Sequence, residues 1–133
     1  DRDFLKAHYA KSNPFSALPM IQNEGLLMFA CTSLGKDCVF YCADFDAVVI
    51  AIQSPDELTC MDVFCDAGPS LQEILAGVAT EGTRKVILGF TPTDTTDYAF
   101  HVRMGEEETL FVLQDKENLF AHHQAMFPLL SHA

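Results

Sequence analysis

Basic side chains are scarce in this chain. Lys and Arg number 8 against 19 Asp and Glu, so the formal net charge is −11. A surface with that balance repels phosphate backbones, which argues against nucleic acid as a partner. It argues against anionic membrane surfaces for the same reason. No apolar run approaches the ~18 residues that suggest a membrane span, and no signal-peptide pattern opens the chain. The expected compartment is therefore the cytoplasm. No C-x-x-C pair occurs among the cysteines, so a structural zinc site is not expected. Neither G-x-G-x-x-G nor G-x-x-x-x-G-K is present, which removes the glycine-rich phosphate loops. No Ser, Cys or His constellation for nucleophilic catalysis stands out.

What the chain does have is the composition of one folded domain. It is 133 residues long, 49% hydrophobic and 20% charged. A disordered chain would be less apolar, and two domains would need more length. It opens on Asp1-Arg2-Asp3 without a Met, and the expectation is a domain cut from a longer protein. The five cysteines, Cys31, Cys38, Cys42, Cys60 and Cys65, are odd in number. They are expected to be reduced, buried thiols acting as small hydrophobes.

Periodicity sets the expected order of elements. Residues 3–12 carry Phe4, Leu5, His8 and Tyr9 at the spacing of a short amphipathic helix, ended by Asn13-Pro14. Residues 14–25 read as a connecting loop. Four antiparallel strands are expected next, over residues 26–32, 38–42, 47–53 and 58–64, with a Pro-containing turn at 54–57. The third is almost purely aliphatic, so it is expected to be central and covered on both faces. Ser70 and Glu73 then form a capping box, and Leu71, Ile74, Leu75 and Val78 recur at helical spacing. Gly82 is expected as the C-cap of that helix. Residues 85–91 read as a strand, which completes a β-α-β unit. After a polar loop, strands are expected at 98–103 and 109–114, with an acidic turn at 106–108 between them. A helix over 116–126 and an apolar tail, which should pack onto the domain, complete the chain. The expected class is α+β, with a mostly antiparallel mixed sheet, one β-α-β crossover and helices on both faces.

That order resembles the GNAT family of N-acetyltransferases, in which an antiparallel meander is followed by a strand, a helix and a parallel strand. The wording also resembles a group of bacterial GNAT proteins. The residues that carry it are Asp62-Val63-Phe64, Leu88-Gly89-Phe90-Thr91-Pro92, Thr109-Leu110-Phe111-Val112 and the ending from Phe127 to Ala133. The similarity spans roughly residues 24–133. It implies transfer of an acetyl group from acetyl-CoA to a small-molecule or peptide amine. It places the pyrophosphate on the amides that open the central helix, near Gly68, Ser70 and Leu71, where free N–H groups and the dipole favour an anion. The pantetheine arm would lie along Val63 and Phe64, where the parallel strands part. The family's usual pattern there is a Gln or Arg followed by two glycines one residue apart. This sequence keeps Gly68 alone, Pro69 offers no amide, and Asp66 brings a negative charge.

A general base for the amine needs reach and a raised pKa. Asp62, inside an apolar strand, and Glu57 are the candidate bases. The Glu106–Glu108 run offers further carboxylates, expected to form a solvated turn. Tyr98 is the candidate acid for the leaving thiolate, although the expected strand places it outside the helix in which the family carries such a tyrosine. His101, His122, His123 and His132 lack partners at metal-ligand spacing, so no metal is expected. The alternative is a non-catalytic domain of the same fold, serving recognition or contact with an N-terminal domain or a second copy. An unrelated α+β module that self-associates through its apolar tail is a third expectation.

Overall fold

The computed structural model describes residues 1–100 and 125–132. Helix α1, Arg2–Tyr9, starts where the Asp1 carboxylate accepts the amides of Asp3 (2.9 Å) and Phe4 (3.3 Å). It buries Leu5, His8 and Tyr9. Helix α2 is Glu24–Leu34, and this corrects the strand expected at residues 26–32. Leu, Met, Ala and Phe follow one another there with no β-branched residue before Thr32, and the first three are strong helix formers. An apolar run of that length does not itself distinguish a strand from a buried helix. Leu27 and Ala30, three apart, face inward.

Strands β1 (Val39–Cys42), β2 (Ala47–Gln53) and β3 (Glu57–Phe64) form an antiparallel meander. The meander thus has three strands where four were expected. Asp46 turns the chain between β1 and β2 in the left-handed region, at φ 44°, which Asp tolerates better than most residues. Helix α3, Leu71–Val78, follows with the capping box formed. Strand β4, Lys85–Leu88, then pairs parallel to β3. The sheet order is β1-β2-β3-β4, a mixed sheet in an α+β fold. All five residues from Ala47 to Ala51 are buried, as the unbroken aliphatic run of β2 implies.

Two cores lie on the two faces of this sheet. Ala47, Val49, Leu58 and Val63 meet Leu71, Ile74 and Val78 of α3. Val48, Ile50 and Phe64 meet Leu5 and Tyr9 of α1, Leu27 of α2 and Leu130. Tyr9 sets its ring edge-on to Phe64, with centroids 5.3 Å apart. The apolar tail therefore packs onto the domain, with a 3-10 turn at Leu129–His132.

Other expectations are corrected. Helix α3 ends four residues before Gly82, at a cap on Ala79 with extended backbone. Gly82 serves a close approach, because a Cβ there would lie 2.6 Å from the Pro55 carbonyl oxygen. Residues 98–100 and 125–126 have irregular backbone, neither strand nor helix. The rest of the strand expected at 98–103, the strand at 109–114, the turn at Glu106–Glu108 and the histidines at 101, 122 and 123 lie outside the described residues. All five thiols are free. No helix among the described residues is long and apolar enough to cross a membrane.

Candidate functional site where two parallel strands part

Strands β3 and β4 pair from Glu57↔Lys85 to Cys60↔Leu88, and the Gly89 amide still donates to the Cys60 carbonyl at 2.7 Å. Beyond that point they separate, although β3 runs on to Phe64. In the pairing of β2 with β3, Ala51 faces Cys60 while Ile50 faces Asp62. Met61 is therefore one extra residue on β3, a bulge that bends the strand and disrupts its ladder. The chain after β4 finds other partners. The Thr91 carbonyl accepts the Ala17 amide (2.8 Å), and the Thr93 amide donates to the Phe15 carbonyl (2.8 Å). The Gly89 carbonyl accepts the Leu129 amide at 2.7 Å.

Asp62 lies at this parting, with 1% of its surface exposed. Its Oδ1 accepts from Asn13 Nδ2 (2.6 Å) and from the Val63 amide (3.0 Å). Its Oδ2 is buried without a hydrogen-bond partner. Burial pushes the carboxyl up to about 6, with the bonds from Asn13 and Val63 pulling the other way. A carboxylate tuned towards neutral pH is the kind of group that takes a proton efficiently. Asn13, 49 positions away in sequence, reads from the sequence only as a helix stop. Its own Oδ1 accepts the Phe15 amide (2.9 Å), which fixes the turn that carries it over Asp62.

The other candidate residues are spread around the parting. Glu57 starts β3, five residues or about 17 Å from Asp62, and pairs with Lys85 at 3.7 Å. Val63 and Phe64 are fully buried on opposite faces. Gly68 holds φ 147°, a backbone that side chains resist. Among the described residues, no hydrogen bond reaches the amides of Ala67 and Gly68. Ser70 Oγ accepts the Glu73 amide (3.1 Å) and donates to Glu73 Oε2 (3.0 Å), which also accepts the Ser70 amide (2.9 Å). The carboxylate of Glu73 thus already sits at the start of α3, and Leu71 behind it is buried. Asp66 pairs with Lys11 at 3.2 Å.

Tyr98 packs against the α3-side core, and its hydroxyl accepts from Gln72 Nε2 at 3.4 Å. Burial first, and then the charge of Asp97, raise its phenol above the ordinary value. Asp62 is paired with Ile50, which belongs to the opposite core. Tyr98 and Asp62 therefore lie on opposite faces of the sheet. No group of three or more His, Cys, Asp or Glu among the described residues is placed to hold a metal ion. Compared with known proteins, the chain matches no family model, no curated protein and no solved structure.

Proposed function

We propose that the domain is a GNAT-like N-acetyltransferase that uses the parting of β3 and β4 as its reaction site. One observation carries the proposal. A buried carboxylate, Asp62, has an unpartnered oxygen and a pKa raised to about 6 at the point where the strands separate. The amine nitrogen of the acceptor attacks the thioester carbonyl of acetyl-CoA. The C–N bond forms, the C–S bond breaks, the amine proton passes to Asp62, and the thiolate leaves. Tyr98, whose hydroxyl meets Gln72 of α3, is the candidate donor to that thiolate, and since it lies on the opposite face of the sheet from Asp62 it would act from across the parting. Glu57 is too far along β3 to share the base's role, and fits an acidic rim that attracts a cationic amine. The pantetheine arm runs past Val63 and Phe64, with the pyrophosphate near Gly68, Ser70 and Leu71. Asp62 becomes accessible to an acceptor only when the loop of Asn13 moves.

A second reading has its own observation. Glu73 occupies the start of α3, and Asp66 lies four residues before the Ser70 cap. Two carboxylates where the pyrophosphate is expected favour a non-catalytic domain of the same fold, engaged in recognition or in contact with another domain or a second copy. Calorimetry with acetyl-CoA separates the two. Heat of binding together with loss of acetyl transfer in Asp62→Asn supports the enzyme. No heat and no thermal shift at millimolar acetyl-CoA refutes it and leaves the second reading.

A further inference from the structure

The cover over Asp62 is tied to the last residues of the chain by a continuous series of hydrogen bonds. Leu130, 1% exposed, is seated in the core with Leu27 and Phe64. Its neighbour Leu129 donates its amide to the Gly89 carbonyl. Thr91 Oγ1 accepts the Met126 amide (2.8 Å) and donates to the Met126 carbonyl (3.2 Å). Through its own carbonyl Thr91 holds Ala17, and Thr93 holds Phe15. Residues 15 and 17 end the loop whose Asn13 closes on Asp62.

The bulge explains why the segment fits there. A regular parallel ladder would satisfy the Gly89 carbonyl with an amide of β3 two residues beyond Cys60. The extra residue Met61 breaks that alternation, and Leu129 supplies the donor instead. The fit is close, since a Cβ on Gly89 would stand 3.1 Å from Leu129 Cδ1.

We propose that the segment Met126–His132 is a latch on the candidate site. Seated, it fixes residues 89–93, which hold the Asn13–Ala17 loop over Asp62. Unseated, it frees that loop and uncovers the carboxylate. This rests on the acyl-transfer reading only for what enters the uncovered site. The latch itself is a statement about the loop and Asp62.

The test uses the full chain and two variants, Leu130→Asp to unseat the segment and Thr91→Val to cut only its bonds to Met126. Amide exchange and the Asp62 carboxyl titration are followed by NMR. In Leu130→Asp, the Ala17 and Thr93 amides should exchange at least about tenfold faster while those of β2 stay protected. The Asp62 pKa should fall from about 6 towards the ordinary carboxylate value. Should Leu130→Asp unfold, Thr91→Val decides, with an expected acceleration of about fivefold at the same two amides for the loss of bonds worth about 1 kcal/mol. Unchanged exchange at Ala17 and Thr93 in the folded variant, or an unmoved Asp62 titration in a folded Leu130→Asp, overturns the latch. Acetyl-CoA added to each protein judges the other claim separately. If the exchange responds and no variant binds acetyl-CoA, the latch stands and the acyl-transfer reading falls.

Discussion

Replacing Asp62 with Asn should stabilise the protein above neutral pH while removing the proposed base. The wild-type carboxyl moves from 3.8 to about 6 on folding, chiefly through burial. A shift of about two units corresponds to roughly 3 kcal/mol at about 1.36 kcal/mol per unit. The sign follows from the direction. The folded state holds this proton more tightly than the unfolded chain, so the associated stability is complete below about pH 4 and is lost as pH rises through about 6. In the variant, the side-chain oxygen still accepts from Asn13 and Val63, and an NH2 group takes the place of the unpartnered Oδ2. An unsatisfied buried donor costs about 1–2 kcal/mol. The expected net gain at pH 7.5 is therefore about 1–2 kcal/mol, turning to a loss of about 1 kcal/mol at pH 4. Urea denaturation of both proteins at pH 4, 6 and 7.5 measures the difference and cancels the remaining ionisations. An Asp62→Asn protein weakened equally at pH 4 and pH 7.5 would refute the claim that burial strains this carboxylate.

Other perturbations probe the frame around the site. Asp46, held well below the usual carboxylate range by Lys11 and then by His8 and Tyr41, should lower the melting temperature when changed to Asn. Because its folded pKa is depressed, that loss should be complete above about pH 4 and fade progressively as the pH falls from there towards the lower folded value, as thermal scans across pH would show. Ser70→Ala removes the capping box of α3 and should cost about 1 kcal/mol in chemical denaturation. Gly82→Ala drives a methyl to 2.6 Å from the Pro55 carbonyl oxygen and should cost about 1–3 kcal/mol by the same measure. The Cys60 and Cys65 thiols are buried, and burial pushes Cys65 up to about 11. Both should react with a disulfide reagent only as fast as the protein opens, and rapid labelling of either in the folded state would contradict the packing.

Some of this was legible in the residues and some was not. Strand β2 matches its expected bounds because six consecutive aliphatic side chains, Ala47 to Ile52, admit few other solutions. Helix α3 is readable because Ser70 and Glu73 are local partners three positions apart. Helix α2 was not, because its apolar run carries no period and only tertiary packing of Leu27 and Ala30 selects the helix. At the site, Asp62 was visible as a carboxylate among apolar neighbours. Its raised pKa comes from burial, and Asn13, which bonds it from 49 positions away, pulls the other way; contacts of that kind bring distant stretches together and leave no local pattern. Gly82 misled for a related reason, since its close neighbour is Pro55 and not the preceding helix.

The turn at Asp46 also ties the start of the chain to the sheet. Its carboxylate meets Lys11 Nζ at 2.5 Å and His8 Nε2 at 2.9 Å, on residues 35 and 38 positions earlier. It also accepts from the Tyr41 hydroxyl at 2.9 Å, five positions away. Those oxygens are in place only after β1 and β2 have closed their hairpin. An eight-residue helix is too short to persist alone in water, so α1 depends on these contacts and on its seat in the core. The start of the chain is thus held twice, by Leu5 and Tyr9 in the core and by His8 and Lys11 at the Asp46 turn, so loss of the Asp46 carboxylate would loosen α1 without releasing it.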